Sequence, residues 1–375
     1  MEKVVLRHCA EYTETEVRDA VKVLLEPLGG ISRFVQPGQR VLLKPNMLAG
    51  KSPEAAVTTH PLLVQIVGEL VVEAGGVLIV GDSPGIGSFD RIAGVTGIAA
   101  ATQAAGGRLR PFQTSRRIVA DGRFRQLELA EEFLDADVVI NLPKLKTHEM
   151  MTLTCGVKNL YGTIVGTAKA GLHLTAGHSK ELFAGLLLEI AGARQVALTI
   201  VDAITAMEGD GPNSGTPRQL GLLIAGTNLV AVDTIAAYLA GISPALLPVE
   251  QEARRLGLAG TDLEQIELAG DTAAFVAASP AFRLPDGLDT QFGLPDFVKR
   301  ILRNQLTPLP VAETHCTRCG ICRDACPPTA ITIKNSALKI DSGRCIRCWC
   351  CRELCPQHAM GIHKSVMLKL LEKLV

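Results

Sequence analysis

Residues 137–148 read DVVINLPKLKTH. The run at 137–140 is nearly continuous in apolar residues, the pattern of a strand buried on both faces of a parallel sheet. It leads into Asn141-Leu142-Pro143 and then into three charged or titratable side chains, Lys144, Lys146 and His148. Four other segments have the same short apolar form: 40–43 (RVLL), 77–80 (VLIV), 196–201 (VALTIV) and 220–225 (LGLLIA). Helical patterns fall between several of them, at 62–74, 91–105, 180–191 and 230–239. Strand and helix taking turns predict an α/β domain over residues 1–270, a mostly parallel sheet with helices on both faces.

The ends of these strands are polar. The first runs into Lys44-Pro45-Asn46, the second into Gly81-Asp82-Ser83-Pro84-Gly85, and the fourth into Asp202, with Glu208-Gly209-Asp210-Gly211-Pro212 soon after. In an open parallel sheet, ligands bind in the crevice beyond the carboxyl ends of the strands. Lys44, Asp82, Lys144, Lys146, His148 and Asp202 are therefore the candidate catalytic residues. Lys158, Asn159, Glu208 and Asp210 are candidates for binding a cofactor or small molecule. Lys44, Lys144, Lys146 and Lys158 together suit a carboxylate or phosphate. Asp82, Asp202, Glu208 and Asp210 suit a hard divalent cation such as magnesium, or acid–base work. A plainer account exists for each. Gly, Pro, Asp and Asn after a strand are ordinary turn residues, Lys144 and Lys146 alternate so that one can simply be solvated, and Asp233 reads as a cap or salt-bridge partner. His173 and His178 rank below His148. No Walker loop, no G-x-G-x-x-G opening a helix after the first strand, no HExxH and no nucleophile elbow is present.

Nine of the 11 cysteines lie between Cys316 and Cys355. Cys316-x-x-Cys319-x-x-Cys322-x-x-x-Cys326-Pro327 is followed by Cys345-x-x-Cys348-x-x-Cys351-x-x-x-Cys355-Pro356, each position 29 residues beyond its counterpart. The segment is an internal duplication. Three thiolates two residues apart can wrap a loop around one iron–sulfur cube, while a fourth, carried on the next turn, reaches a second cube. Paired C-x-x-C sites for zinc are the alternative; the third cysteine at the same step, the Cys-Pro and the duplication weigh against it. The module resembles the bacterial two-cluster ferredoxins over residues 314–363. That resemblance implies two [4Fe–4S] clusters, one on Cys316, Cys319, Cys322 and Cys355, the other on Cys345, Cys348, Cys351 and Cys326. The second set departs from the pattern: where the first has Gly320, it has Trp349 followed by an additional Cys350.

The remaining organisation is a proline-rich connector at 271–310, the ferredoxin-type module at 311–363 and an amphipathic helix at 364–375. Lysine plus arginine equals aspartate plus glutamate, 38 against 38, and aromatics are few and scattered, so nucleic acid is not an expected partner. No apolar run reaches the roughly 18 residues of a spanning helix. The first residues lack the three-part pattern of a signal peptide, so a cytoplasmic location is expected.

A second resemblance rests on LLKPN (42–46), THP (59–61), GDSPG (81–85), NLPKLKTH (141–148), GVKNLYG (156–162), VDAITAMEGDGP (201–212) and AVDT (231–234). These motifs resemble the prokaryotic domain of unknown function 362, whose members are often fused to a two-cluster ferredoxin module. The resemblance implies an α/β domain with an iron–sulfur partner and no assigned reaction. The function expected from all of this is an oxidoreductase that passes electrons through two clusters to or from a ligand at the sheet edge, a further cation or small molecule being open. The alternatives are an electron carrier that docks on a redox partner protein, or a non-redox enzyme with structural clusters.

Overall fold

The computed structural model describes residues 1–375 apart from 85–86, 121, 125, 167, 170, 173–178, 274–280, 286–307, 335–336, 367–368 and 370–375. His173, His178, most of the connector and most of the C-terminal helix lie outside the described residues. In chain order the strands of the large domain are β1 (Glu2–His8), β2 (Arg40–Pro45), β3 (Val77–Asp82), β4 (Arg108–Pro111), β5 (Ser115–Val119), β6 (Gln126–Ala130), β7 (Val138–Leu142), β8 (Lys144–His148), β9 (Thr152–Thr154), β10 (Leu198–Glu208), β11 (Thr216–Gly226) and β12 (Ile266–Gly270). The main sheet runs β12-β1-β11-β10-β7-β2-β3-β4; β8 joins the far half of β10, and β9 joins β8.

The core is parallel, as the apolar runs predict: β10, β7, β2, β3 and β4 all pair in parallel. Successive side chains point to opposite faces. Val41 and Leu43 pack beneath the helices Glu14–Leu25 and Pro61–Glu73, whereas Leu42 and Val139 face the helix Lys180–Gly192. Both faces are thus covered. The helix Leu229–Leu239 closes a third apolar cluster beside β10 and β11.

Three expectations change. β11 is antiparallel to both β10 and β1. The link between Glu208 and Thr216 is too short for a crossover, and only a hairpin return fits so few residues. The helix expected at 91–105 is two helices, Phe89–Val95 and Ile98–Ala104, parted at Gly97, whose φ of 76° brings it close to Pro61. Asp202 lies within β10 rather than after it, because that strand continues to Glu208.

The C-terminal module has two small hairpin-like pairs, β13 (Leu309–Ala312) with β16 (Met360–His363) and β14 (Ile331–Lys334) with β15 (Ala337–Ile340). Its duplication is visible in the backbone. Left-handed φ values recur at Arg318 and Arg347, Gly320 and Trp349, and Thr329 and His358. Trp349 adopts the conformation glycine takes in the first half, at φ 61°, which is unfavourable for a bulky residue. Its indole compensates by packing into the same buried cluster as Tyr161, Phe183 and Leu186 of the large domain. The module is anchored there.

Candidate functional site

The carboxyl ends of β2 and β3, with Lys146 of β8, meet the module at a cavity of about 460 Å³. The large domain contributes Asn46, Asp82, Lys146, Lys158, Asn159 and Lys169; the module contributes Ile321, Asp324, Ala325, Cys350, Glu353 and Leu354.

Two of the four expected lysines are neutralised. Lys44, fully buried, places Nζ 2.8 Å from Asp82 Oδ1. Asp82 also accepts from the backbone N–H of Met47 and of Ser83, each at 2.9 Å. Burial pushes the Lys44 ammonium down and Asp82 opposes it. Gly162 packs directly against this pair, and a Cβ there would collide with Asp82 Oδ1 and Lys44 Nζ. Lys144 donates to Asp202 Oδ2 and to Tyr12 Oη, both at 2.9 Å. Tyr12 in turn donates to Asp202 Oδ1 at 2.5 Å, and His60 N–H caps Oδ2 at 2.8 Å. Lys144 and Asp202 are buried at the centre of this network, which does not line the cavity.

The other two lysines make no ion pair with a carboxylate among the described residues, and Glu353 is the carboxylate that most favours their charged forms. Lys146 donates to Asn46 Oδ1 at 3.0 Å and to the Val57 carbonyl at 2.6 Å. Burial pushes its ammonium well down, and Lys158 adds to the effect. Lys158 makes no hydrogen bond among the described residues and sits 5.8 Å from the Tyr161 ring centroid. An amide chain fixes the floor: Asn46 Nδ2 donates to Asn159 Oδ1 at 3.0 Å, Asn159 Nδ2 to Asn141 Oδ1 at 2.8 Å, and Asn141 Nδ2 to the Gly156 carbonyl at 3.0 Å. Lys169, which sequence reasoning missed, joins them. Its Nζ donates to the Ser83 carbonyl at 2.6 Å and to Ser83 Oγ at 3.0 Å, and burial lowers its pKa to about 8. A single lysine in VGTAKAG carries no periodic or motif signal that could have found it.

Three expected site residues lie elsewhere. Glu208 is taken by Arg218 and Arg283, at 2.6 and 2.8 Å; the β10–β11 return sets Thr216 opposite Glu208 and Arg218 two residues along, opposite Ala206, within diagonal reach. Asp210 pairs with Arg352 at 2.9 Å. His148 is buried with Nε2 3.0 Å from Glu353 Oε1. Its Nδ1 accepts from the N–H of Met150 and Met151, so the neutral ring carries its proton on Nε2, facing that carboxylate. Burial lowers its pKa to about 4. Arg352 also pairs with Glu149, and Asn213 Nδ2 donates to the Glu353 carbonyl at 2.8 Å. His148 and Asp210 therefore hold the module in place instead of facing the cavity. Asp233 caps the short helix Gly156–Asn159, accepting from Gly156 N–H at 2.6 Å and Val157 N–H at 3.1 Å.

The module's cysteines divide between two small cavities. Cys316, Cys319, Cys322 and Cys355 line one; Cys326, Cys345, Cys348, Cys350 and Cys351 line the other. Among the described residues no three His, Cys, Asp or Glu side chains gather closely enough to hold a single metal ion. Each fourth cysteine, Cys355 and Cys326, stands with the other half's triplet. Cys350 lines both its cysteine cavity and the 460 Å³ cavity.

Among the described residues, no helix is long and apolar enough to cross a membrane. The chain is 39% identical over 305 residues to the thylakoid-associated protein sll1697 of Synechocystis sp., covering 81% of this chain and 93% of that one. A solved structure, the lactate racemase apoprotein from Thermoanaerobacterium thermosaccharolyticum, aligns with a TM-score of 0.42 at 11% identity, over 64% of this chain and 57% of that one. The profile described as Domain of unknown function (DUF362) matches residues 41–238, and the chain belongs to that family.

Proposed function

We propose that this chain is an iron–sulfur oxidoreductase. Its two interleaved cysteine quartets would hold two [4Fe–4S] clusters, supplying one-electron transfer to or from a small molecule in the 460 Å³ cavity. The observation that carries the reading is the double membership of that cavity. Its floor is the lysine- and amide-lined sheet edge, and its roof is the helix Cys350–Glu353, which contains Cys351 and is separated from Cys348 by Trp349 alone. A ligand there lies next to the second cysteine set with no protein domain between. Three of the chain's own features suit catalysis. Burial excludes water, the amide chain from Asn46 to Asn141 orients groups on the floor, and Lys146 and Lys158, with ammonium groups pushed down by burial, can give up a proton readily.

The test is anaerobic purification, followed by metal analysis, EPR before and after reduction, and mass spectrometry of any small molecule released by denaturation. The expected result is about eight irons per chain and reduced clusters that are reoxidised when the released compound is added back. Zinc in place of iron, a single cube, or reduced clusters indifferent to that compound would remove the proposal.

A further inference from the structure

The charges around the cavity do not balance. Of its carboxylates, Asp82 is neutralised by Lys44 and held by two backbone N–H groups, and Asp324 pairs with Arg323 at 2.7 Å; Glu353, whose Oε1 faces the neutral His148 ring at 3.0 Å, is left to offset the lysines of the cavity. Lys146 and Lys169 donate only to neutral oxygens, and Lys158 donates to nothing among the described residues. Three ammonium groups therefore share one cavity with the single carboxylate of Glu353 to offset them, and none of the three makes an ion pair with a carboxylate among the described residues. Burying a charge without a counter-charge costs several kcal/mol, and an anion in the cavity would relieve that cost for all three at once. The rest of the lining is different in kind: Leu48, Pro84 and Pro212 on one side, Ile321, Ala325 and Leu354 on the other. The volume matches that of small-molecule sites of several hundred Å³, far more than one inorganic anion occupies.

We infer that the cavity binds an amphiphilic organic anion, its carboxylate or phosphate head against Lys146, Lys158 and Lys169 and its apolar body against Ile321 and Leu354 of the module. The inference rests on reading this cavity as the substrate site and adds the ligand's chemical class and its orientation. The head is fixed on the large domain, and the body, the part that would exchange electrons, faces the cysteine-bearing helix.

The test is calorimetric titration of the full chain, purified anaerobically, with trans-cinnamate, phenyl phosphate, inorganic phosphate and the neutral cinnamyl alcohol. The expected result is that cinnamate or phenyl phosphate binds at least tenfold more tightly than both cinnamyl alcohol and inorganic phosphate. Which of the two wins identifies the head group. Lys158→Met and Lys169→Met, checked for unchanged melting, should each weaken the better ligand about tenfold or more. Cinnamyl alcohol binding as tightly as cinnamate, inorganic phosphate as tightly as phenyl phosphate, or no binding by any probe would overturn the inference, and the wild-type comparison needs no variant to fold. The readout does not depend on electron transfer. Charge-blind binding sinks the ligand class alone, whereas absent or unresponsive clusters sink the redox function alone.

Discussion

Replacing Asp82 with Asn leaves the Lys44 ammonium buried without its counter-ion. The pair is 2.8 Å apart, with 0% and 6% of the two side chains exposed. Removing one partner of such a buried pair costs about 3–5 kcal/mol. With unfolding entropy near 2.1 cal/mol/K per residue, a chain of 375 residues should melt about 4–6 °C lower for that loss. Lys44→Met should cost less, because the stranded carboxylate keeps the N–H groups of Met47 and Ser83, and hydrogen bonds to a charged group each contribute about 1.5–3 kcal/mol. The double variant Lys44→Met/Asp82→Asn removes both charges and should melt above Asp82→Asn alone, since the two residues share one interaction. Thermal unfolding of all four proteins, followed by circular dichroism under anaerobic conditions, measures this. Additive losses in the double variant, or an Asp82→Asn protein that melts with the wild type, would refute the view that these charges neutralise each other in the dry interior.

Gly162→Ala places a methyl group against Asp82 Oδ1 and Lys44 Nζ and should lower the melting temperature by several degrees, whereas Gly166→Ala, also on the cavity wall, serves as a comparison for strain at φ 54° without a steric partner. Trp349→Gly should lose about 3–5 kcal/mol of packing and regain about 1–2 kcal/mol of left-handed strain; limited proteolysis between the domains should quicken while the iron content stays constant. His148 is held neutral with a pKa lowered to about 4 from 6.5. The unfolded chain therefore binds its proton first as pH falls, and this contribution to stability, full above 6.5, declines toward 4. Denaturant titrations of wild type and His148→Gln across that window should converge at low pH, and parallel curves would argue against it. Lys169, lowered to about 8, loses its charge as pH rises past that value, so affinity for an anionic probe should fall there in wild type and not in Lys169→Met.

Local sequence carried the parallel core because burial on both faces leaves an unbroken apolar run, and RVLL, VLIV and DVVI each became a central strand. It carried the grouping of the cysteines around two small cavities because their spacing is a local property. It misjudged β11 because the direction of a strand depends on the length of its connection as well as on its own residues. The charged residues were the hardest. All the lysines at 44, 144, 146 and 158 are placed near the sheet edge, yet their roles separate only in three dimensions. Asp202 neutralises Lys144 from 58 positions away and Asp82 neutralises Lys44, while among the described residues no carboxylate forms an ion pair with Lys146. Glu208 and Asp210 look equivalent to Asp82 on paper, but arginines brought in by a hairpin and by the module claim them first.

The two halves of the C-terminal module share one backbone design, and a single aromatic side chain makes them unequal. Trp349 plugs its half into the large domain, leaving Cys345, Cys348 and Cys351 buried, while Cys319 of the other half is open to solvent. Duplication thereby acquires a polarity: one end of the module is open to the outside, and the other is private to the chamber it roofs.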